Sequence, residues 1–140
     1  MGRINIGRVV LGGLLAGLVI DISEALLNGV VFAKEMDAMM ASLNKPPIDS
    51  SMITLFVLLG FGLGVVLIWL YAALRPRLGP GVRTAICAGL TVWGLAYLYP
   101  NLTAFIIHLF PRRMLVIQSA WGLVELVVAA VAGAWIYKET

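Results

Sequence analysis

Long apolar stretches separated by short polar ones run the length of the chain. The first, Ile4 to Ala33, carries Asp21, Glu24 and Asn28 well inside it. The second holds no charged residue at all, and two more follow. The pattern predicts four membrane-spanning helices, over about 6–33, 51–74, 82–102 and 113–137. Each meets the length of about 20 residues that a helix needs to cross the hydrocarbon. The first is longer, which allows tilt or projection beyond the hydrocarbon.

The connections read differently from one another. Residues 34–50 are polar and end in Asn44-Lys45-Pro46-Pro47, a sequence that cannot continue a helix. Ser50 or Ser51 is the expected N-cap of the second span. Arg75-Pro76-Arg77-Leu78-Gly79-Pro80-Gly81 is turn chemistry joining two antiparallel helices. Pro100-Asn101 then interrupts an apolar pattern that lasts to Phe110. Leu102 to Phe110 reads either as an interfacial segment or as a kinked continuation of the third span.

Composition turns this pattern into a solvent argument. Of 140 residues, 61% are hydrophobic and 12% charged, where a soluble domain is about a quarter charged. A water-soluble protein of this size has to cover itself with polar groups, so the expected partner is the lipid bilayer. The expected fold is a single all-α domain, an integral membrane four-helix antiparallel bundle. Arg3 and Arg8 before an apolar run resemble a signal peptide, but apolar residues resume at Ala25 and favour a retained helix.

The net charge of +3 does not imply nucleic acid, because the basic residues flank apolar spans and no basic surface is interleaved with aromatics. With the N-terminus cytoplasmic, that side holds Arg3, Arg8, Arg75, Arg77, Arg83 and Lys138, against Lys34, Lys45, Arg112 and Arg113 on the other. Both termini are therefore expected in the cytoplasm, with Arg112 and Arg113 as the dissenting pair. Trp69, Tyr71, Trp135 and Tyr137 fall at one membrane face and Tyr97 and Tyr99 at the other, as two aromatic belts would.

Small residues recur four apart: Gly13 with Gly17, Gly60 with Gly64, and Ala129 with Gly133. Such pairs let helix backbones approach closely where hydrophobicity provides no drive to associate. The stretch Trp69-Leu70-Tyr71-Ala72-Ala73-Leu74-Arg75-Pro76-Arg77-Leu78-Gly79-Pro80-Gly81, followed by Thr84-Ala85, resembles small four-helix bacterial membrane proteins of unknown function. That resemblance implies a bacterial inner-membrane setting and carries no activity, cofactor or site with it.

The acids are the chemistry. At about 100° per residue, Asp21, Glu24 and Asn28 fall within roughly 60° of one another. Counted at about 1.5 Å per residue from Val9, Asp21 and Glu24 lie near the middle of the hydrocarbon. A charge there costs at least about 2.5–3.5 kcal/mol, so at least one of the two is expected to keep its proton. Glu125 sits at the centre of the fourth span with Gln118, Trp121, Gly122 and Ala129 on roughly its face. It is expected at the depth of Asp21, and no Lys or Arg lies there to pair with any of the three, which leaves hydroxyls and amides such as Asn28, Thr91, Tyr97, Gln118 and Ser119, or protons, cations and water. Asp21, Glu24, Asn28 and Glu125 form the candidate buried polar or ion site.

Other chemistry is thin. Cys87 is the one cysteine, so neither an intrachain disulfide nor a cysteine metal cluster can form. His108 has no second ligand at metal spacing, and Met36, Met39 and Met40 read as gap-filling residues. No catalytic motif is present, and no cofactor or enzymatic activity is expected. Two functions remain. The first is a structural or assembly subunit, self-associating or paired with other membrane subunits. The second is a proton- or cation-coupled transporter or channel acting as an oligomer.

Overall fold

The computed structural model describes residues 3–139. The chain is 84% helical and has no strand among the described residues. Four helical runs are long and apolar enough to cross a membrane: Ile6–Val31, Ser50–Leu78, Val82–Ile106 and Arg112–Ile136. The first consists of α1 (Ile6–Leu26) and a π-helical segment, Leu27–Val31. The second is α3 (Ser50–Leu78). The third joins α4 (Val82–Trp93), a second π segment (Gly94–Leu98) and α5 (Tyr99–Ile106). The fourth is α6 (Arg112–Ile136).

The connections depart from the sequence reading in three places. The polar segment after the first span is not all loop. It forms α2 (Ala33–Ser42), which buries no residue. The N-cap of α3 is Asp49 rather than either serine. Its carboxylate accepts from the Met52 amide at 2.9 Å and the Ser51 hydroxyl at 2.6 Å. These two donors hold the Asp49 carboxyl below its usual range. The turn after α3 is also shorter than expected. The helix runs through Pro76 to Leu78, and only Gly79-Pro80-Gly81 turns the chain, with both glycines at positive φ, 81° and 127°.

Pro100 does not end the third run. A proline lacks the N–H that would bond four residues back, and its ring crowds that carbonyl. Here the helix widens into a π turn immediately before it, closed by the Tyr99 N–H bonding back to the Gly94 carbonyl. The wider turn gives the proline room, and α5 continues to Ile106. Residues 102–106 are thus a continuation of the third helix, which ends before His108 takes a φ of 54°.

Burial follows helical rows. On α1 the buried residues are Val9, Gly12, Gly13, Ala16, Gly17 and Ile20, a stripe spaced three and four apart. Its glycines touch two different neighbours. A Cβ on Gly13 would lie 2.5 Å from the Val65 Cα, and one on Gly17 would lie 2.7 Å from the Phe61 Cα, both on α3. A Cβ on Gly12 would instead meet the Gly133 carbonyl of α6 at 2.6 Å. Gly64 is packed against Gly13 and Gly17, and Gly60 against the Asp21 carboxyl. The glycines at 13, 17, 60, 64 and 133 are therefore spent on contacts inside this chain.

The end of the fold that holds the start of α1 is closed by an aromatic clasp. Tyr71 and Tyr137 meet edge-on, 5.9 Å between ring centroids, and the Arg75 guanidinium lies over both rings. The Tyr137 hydroxyl accepts from the Asn5 amide at 3.3 Å, and that of Tyr71 from the Gly81 amide at 3.2 Å. Both rings are buried, at 3% and 4% exposure, whereas Trp69 and Trp135 remain exposed. The two tyrosines read as belt residues thus pack inside, and the two tryptophans outside.

Gly13→Val is expected to force α1 and α3 apart and to cost about 1–3 kcal/mol, as over-packing does. Thermal unfolding followed by circular dichroism in mild detergent measures it. Gly62→Ala is the matched comparison, because a Cβ there meets nothing within 4 Å, and its unfolding midpoint is expected to stay put.

Candidate functional site: a tyrosine between two carboxyl groups

The packed stripe of α1 continues past Ile20 through the half-buried Ser23 and Glu24 to Leu27, which is fully buried. Glu24 therefore points the same way as the packed residues before it. On α6 the row Glu125, Ala129, Gly133 is buried, and next to it the row Gly122, Leu126, Ala130. Glu125 is 4% exposed. Between these helices sits Tyr97, carried by the π segment Gly94–Leu98. Its ring lies flat on Gly122, where a Cβ would come within 2.6 Å of ring carbons. Gly122 is the space into which the ring fits.

The Tyr97 hydroxyl meets Glu125 Oε1 at 2.7 Å and also meets Glu24 Oε1. Glu24 Oε2 accepts from the Asn28 amide nitrogen at 2.7 Å, and the same nitrogen reaches the Glu24 carbonyl at 3.1 Å. Beside this chain of contacts the Trp121 indole donates to the Ser23 hydroxyl at 2.8 Å. Further along α6, the Trp93 indole donates to the Ser119 carbonyl at 2.8 Å, and the Asn101 amide to the Ser119 hydroxyl at 2.9 Å. Glu125 Oε2 has no partner.

A proton count fixes what these contacts require. Two oxygen–oxygen hydrogen bonds need two hydrogens between the atoms, and a phenol has one. Tyr97 can donate to one carboxylate only. For the second contact to be a hydrogen bond, the other glutamate must be a carboxylic acid donating to the phenol oxygen. One hydrogen on each contact is reached when the Glu24–Tyr97–Glu125 cluster carries one carboxyl proton.

Both π segments of the chain adjoin the cluster. Asn28, the partner of Glu24, lies in Leu27–Val31, and Tyr97 lies in Gly94–Leu98. The first closes with the Phe32 amide on the Leu27 carbonyl at 2.8 Å, five residues back. π turns are rare in helices and concentrate at functional sites.

Not every residue singled out in the sequence is here. Glu24, Asn28 and Glu125 come together, but Asp21 does not join them. It lies against Gly60 of α3, on the row of Gly13 and Gly17, and its Oδ2 is buried without a partner. Three residues apart on a helix is one row over, and on α1 that step changes the facing helix from α6 to α3. Tyr97, placed by its position in an interfacial belt and by its hydroxyl among the possible partners of the acids, is the centre of the cluster. Among the described residues no group of three His, Cys, Asp or Glu side chains is arranged to hold a metal ion. No family model matches the chain, and neither a curated protein nor a solved structure does.

Tyr97→Phe is expected to leave the facing oxygens of Glu24 and Glu125 without their bridge and to lower stability by about 1–3 kcal/mol. Adding Glu125→Leu to that variant removes the second orphaned group and is expected to recover part of the loss, because replacing both partners by apolar groups is nearly neutral. Thermal unfolding of the two variants in detergent checks the order.

Proposed function

We propose that the protein is a non-enzymatic integral membrane protein, a four-span antiparallel bundle with both termini cytoplasmic. We further propose that its Glu24–Tyr97–Glu125 cluster is a proton-exchanging site serving proton- or cation-linked transport. The observation that carries the reading is the phenol shared by two carboxyl groups, a contact that one carboxyl proton between the helices would complete, with no basic residue beside it. In hydrocarbon, unpaired carboxyl groups of this kind mark ion pathways more often than they mark packing.

Three further observations support it. The π turns give both ends of the cluster an alternative local winding, so the helix register can adjust without breaking the run. The phenol can pass from donating toward one glutamate to donating toward the other, which moves a proton between α1 and α6 with no large rearrangement. The contacts of Gly12 with Gly133 and of Asn5 with Tyr137 pair the start of α1 with the end of α6, as an antiparallel packing requires.

The reading as a structural or assembly subunit rests on the same cluster used as a fixed clasp. Interhelical hydrogen bonds in membranes are worth about 0.6 kcal/mol on average, and five of them join α1, the third helix and α6 here. The glycine pairs expected to serve assembly are already occupied within the chain, which weakens that reading and leaves only the exposed apolar faces for it.

Proteoliposomes with an imposed pH gradient separate the two. Transport predicts a proton flux that falls about tenfold or more in Glu125→Gln and in Glu24→Gln, with helical content and unfolding midpoint retained. A clasp predicts that both variants match the wild type.

A further inference from the structure

A groove of about 360 Å³ runs between α1 and α6, lined by Val19, Ser23, Trp121, Val124, Glu125 and Val128. It shares Glu125 with the cluster, and Tyr97 is not part of its lining. Val124 and Val128 are 63% and 51% exposed, so the groove opens on the outer surface of the helices. In a bilayer that opening faces acyl chains rather than water.

Its chemistry is uneven. Three valines and an indole make the walls. The polar contribution is Ser23 and Glu125. The Ser23 hydroxyl accepts from the Trp121 indole. Glu125 is buried, and its Oε2 is the one oxygen among the four of the Glu24 and Glu125 carboxyl groups with no partner. The titratable groups facing Glu125 are Tyr97 and Glu24, with Asp21 one row away on α1. The one ion pair among the described residues, Arg75 with Glu139, is at the other end of the fold.

A buried carboxyl group with a free oxygen, next to an aromatic face and approached through apolar walls, specifies its ligand. The ligand must be positive, to satisfy the carboxylate. It must be weakly hydrated, because a strongly hydrated ion would give up its water without replacement. It must also have an apolar body, to fill the valine walls and meet the indole by cation–π contact. We propose that this groove binds apolar organic cations and that the cation replaces the carboxyl proton of the cluster. This rests on the proton-exchanging reading given above.

The exchange balances. A glutamic acid O–H breaks and its proton leaves to water, the cation stays as the counter-ion of the resulting carboxylate, and the charge of the site is unchanged. Tyr97 then donates to one carboxylate while the cation neutralises the other. Binding in one direction and proton return in the other constitute an antiport cycle.

Tetraphenylphosphonium is the probe, with the anion tetraphenylborate as its matched control in shape. Protein in nanodiscs of zwitterionic lipid is expected to bind the cation saturably, to shift Trp121 emission, and to release a proton into weakly buffered solution as it does so. Glu125→Gln is expected to weaken binding by about tenfold or more and to abolish the release. Val128→Trp fills the groove from an exposed position and is expected to weaken binding as well. Equal binding of tetraphenylborate, binding without proton release, or unchanged affinity in Glu125→Gln overturns the proposal. If proteoliposomes conduct protons but tetraphenylphosphonium does not bind, the groove assignment fails and the proton-exchanging reading stands. If neither is seen, both fail.

Discussion

One hydroxyl meets two carboxyl groups, and the inner structure of this protein is arranged around that constraint. The Tyr97 phenol can supply only one hydrogen to Glu24 and Glu125. A proton retained on one of the two acids would complete both contacts, and no base lies there to receive it. Those contacts set the surroundings. Gly122 is empty so that the ring can lie flat on α6. The π turn at Gly94–Leu98 carries the tyrosine, and the one at Leu27–Val31 carries the asparagine that fixes the second oxygen of Glu24.

The rest of the molecule holds the three helices at the distance this contact demands. Where lipid replaces water, apolar surfaces have no reason to prefer one another, and close backbone approach has to supply cohesion. Gly13 and Gly17 against α3, and Gly12 against Gly133, provide it along the middle of α1. The Tyr71–Arg75–Tyr137 clasp fixes the far end. The helices are thus pinned by rings and a guanidinium at one end, by glycines along α1, and by the hydrogen-bonded cluster around Glu125, midway along α6. Only the last of these can change state without unfolding the protein, and function is therefore assigned there.

The apolar runs and their lengths were legible because hydropathy marks helices long and apolar enough to cross a membrane, and glutamates at positions 24 and 125 stood out because charge is so rare in such runs. Asp21 and Glu24 could not be told apart in the same way. A window of about 60° treats them as one face, while on a packed helix it spans two rows that meet different neighbours. Tyr97 was legible only as one of several hydroxyls and amides that could partner the acids. Tyrosine near a span end is common at membrane interfaces, and nothing local distinguishes a belt residue from one turned inward. The available clue was Gly122 on the face of Glu125, a gap that makes sense only once a ring fills it. Pro100 suggested an interruption because the π turn that accommodates it has no sequence signature.

The retained proton is the claim on which the account turns. Infrared spectroscopy of the reconstituted protein at neutral pH, with glutamate carboxyl carbons isotopically labelled, observes it directly. Of the four glutamates, Glu35 and Glu139 are exposed and lie outside the cluster. The account predicts a carboxylic-acid carbonyl stretch that shifts on glutamate labelling and vanishes in the Glu24→Gln, Glu125→Gln double variant. A spectrum containing only carboxylate bands from labelled glutamate would contradict it.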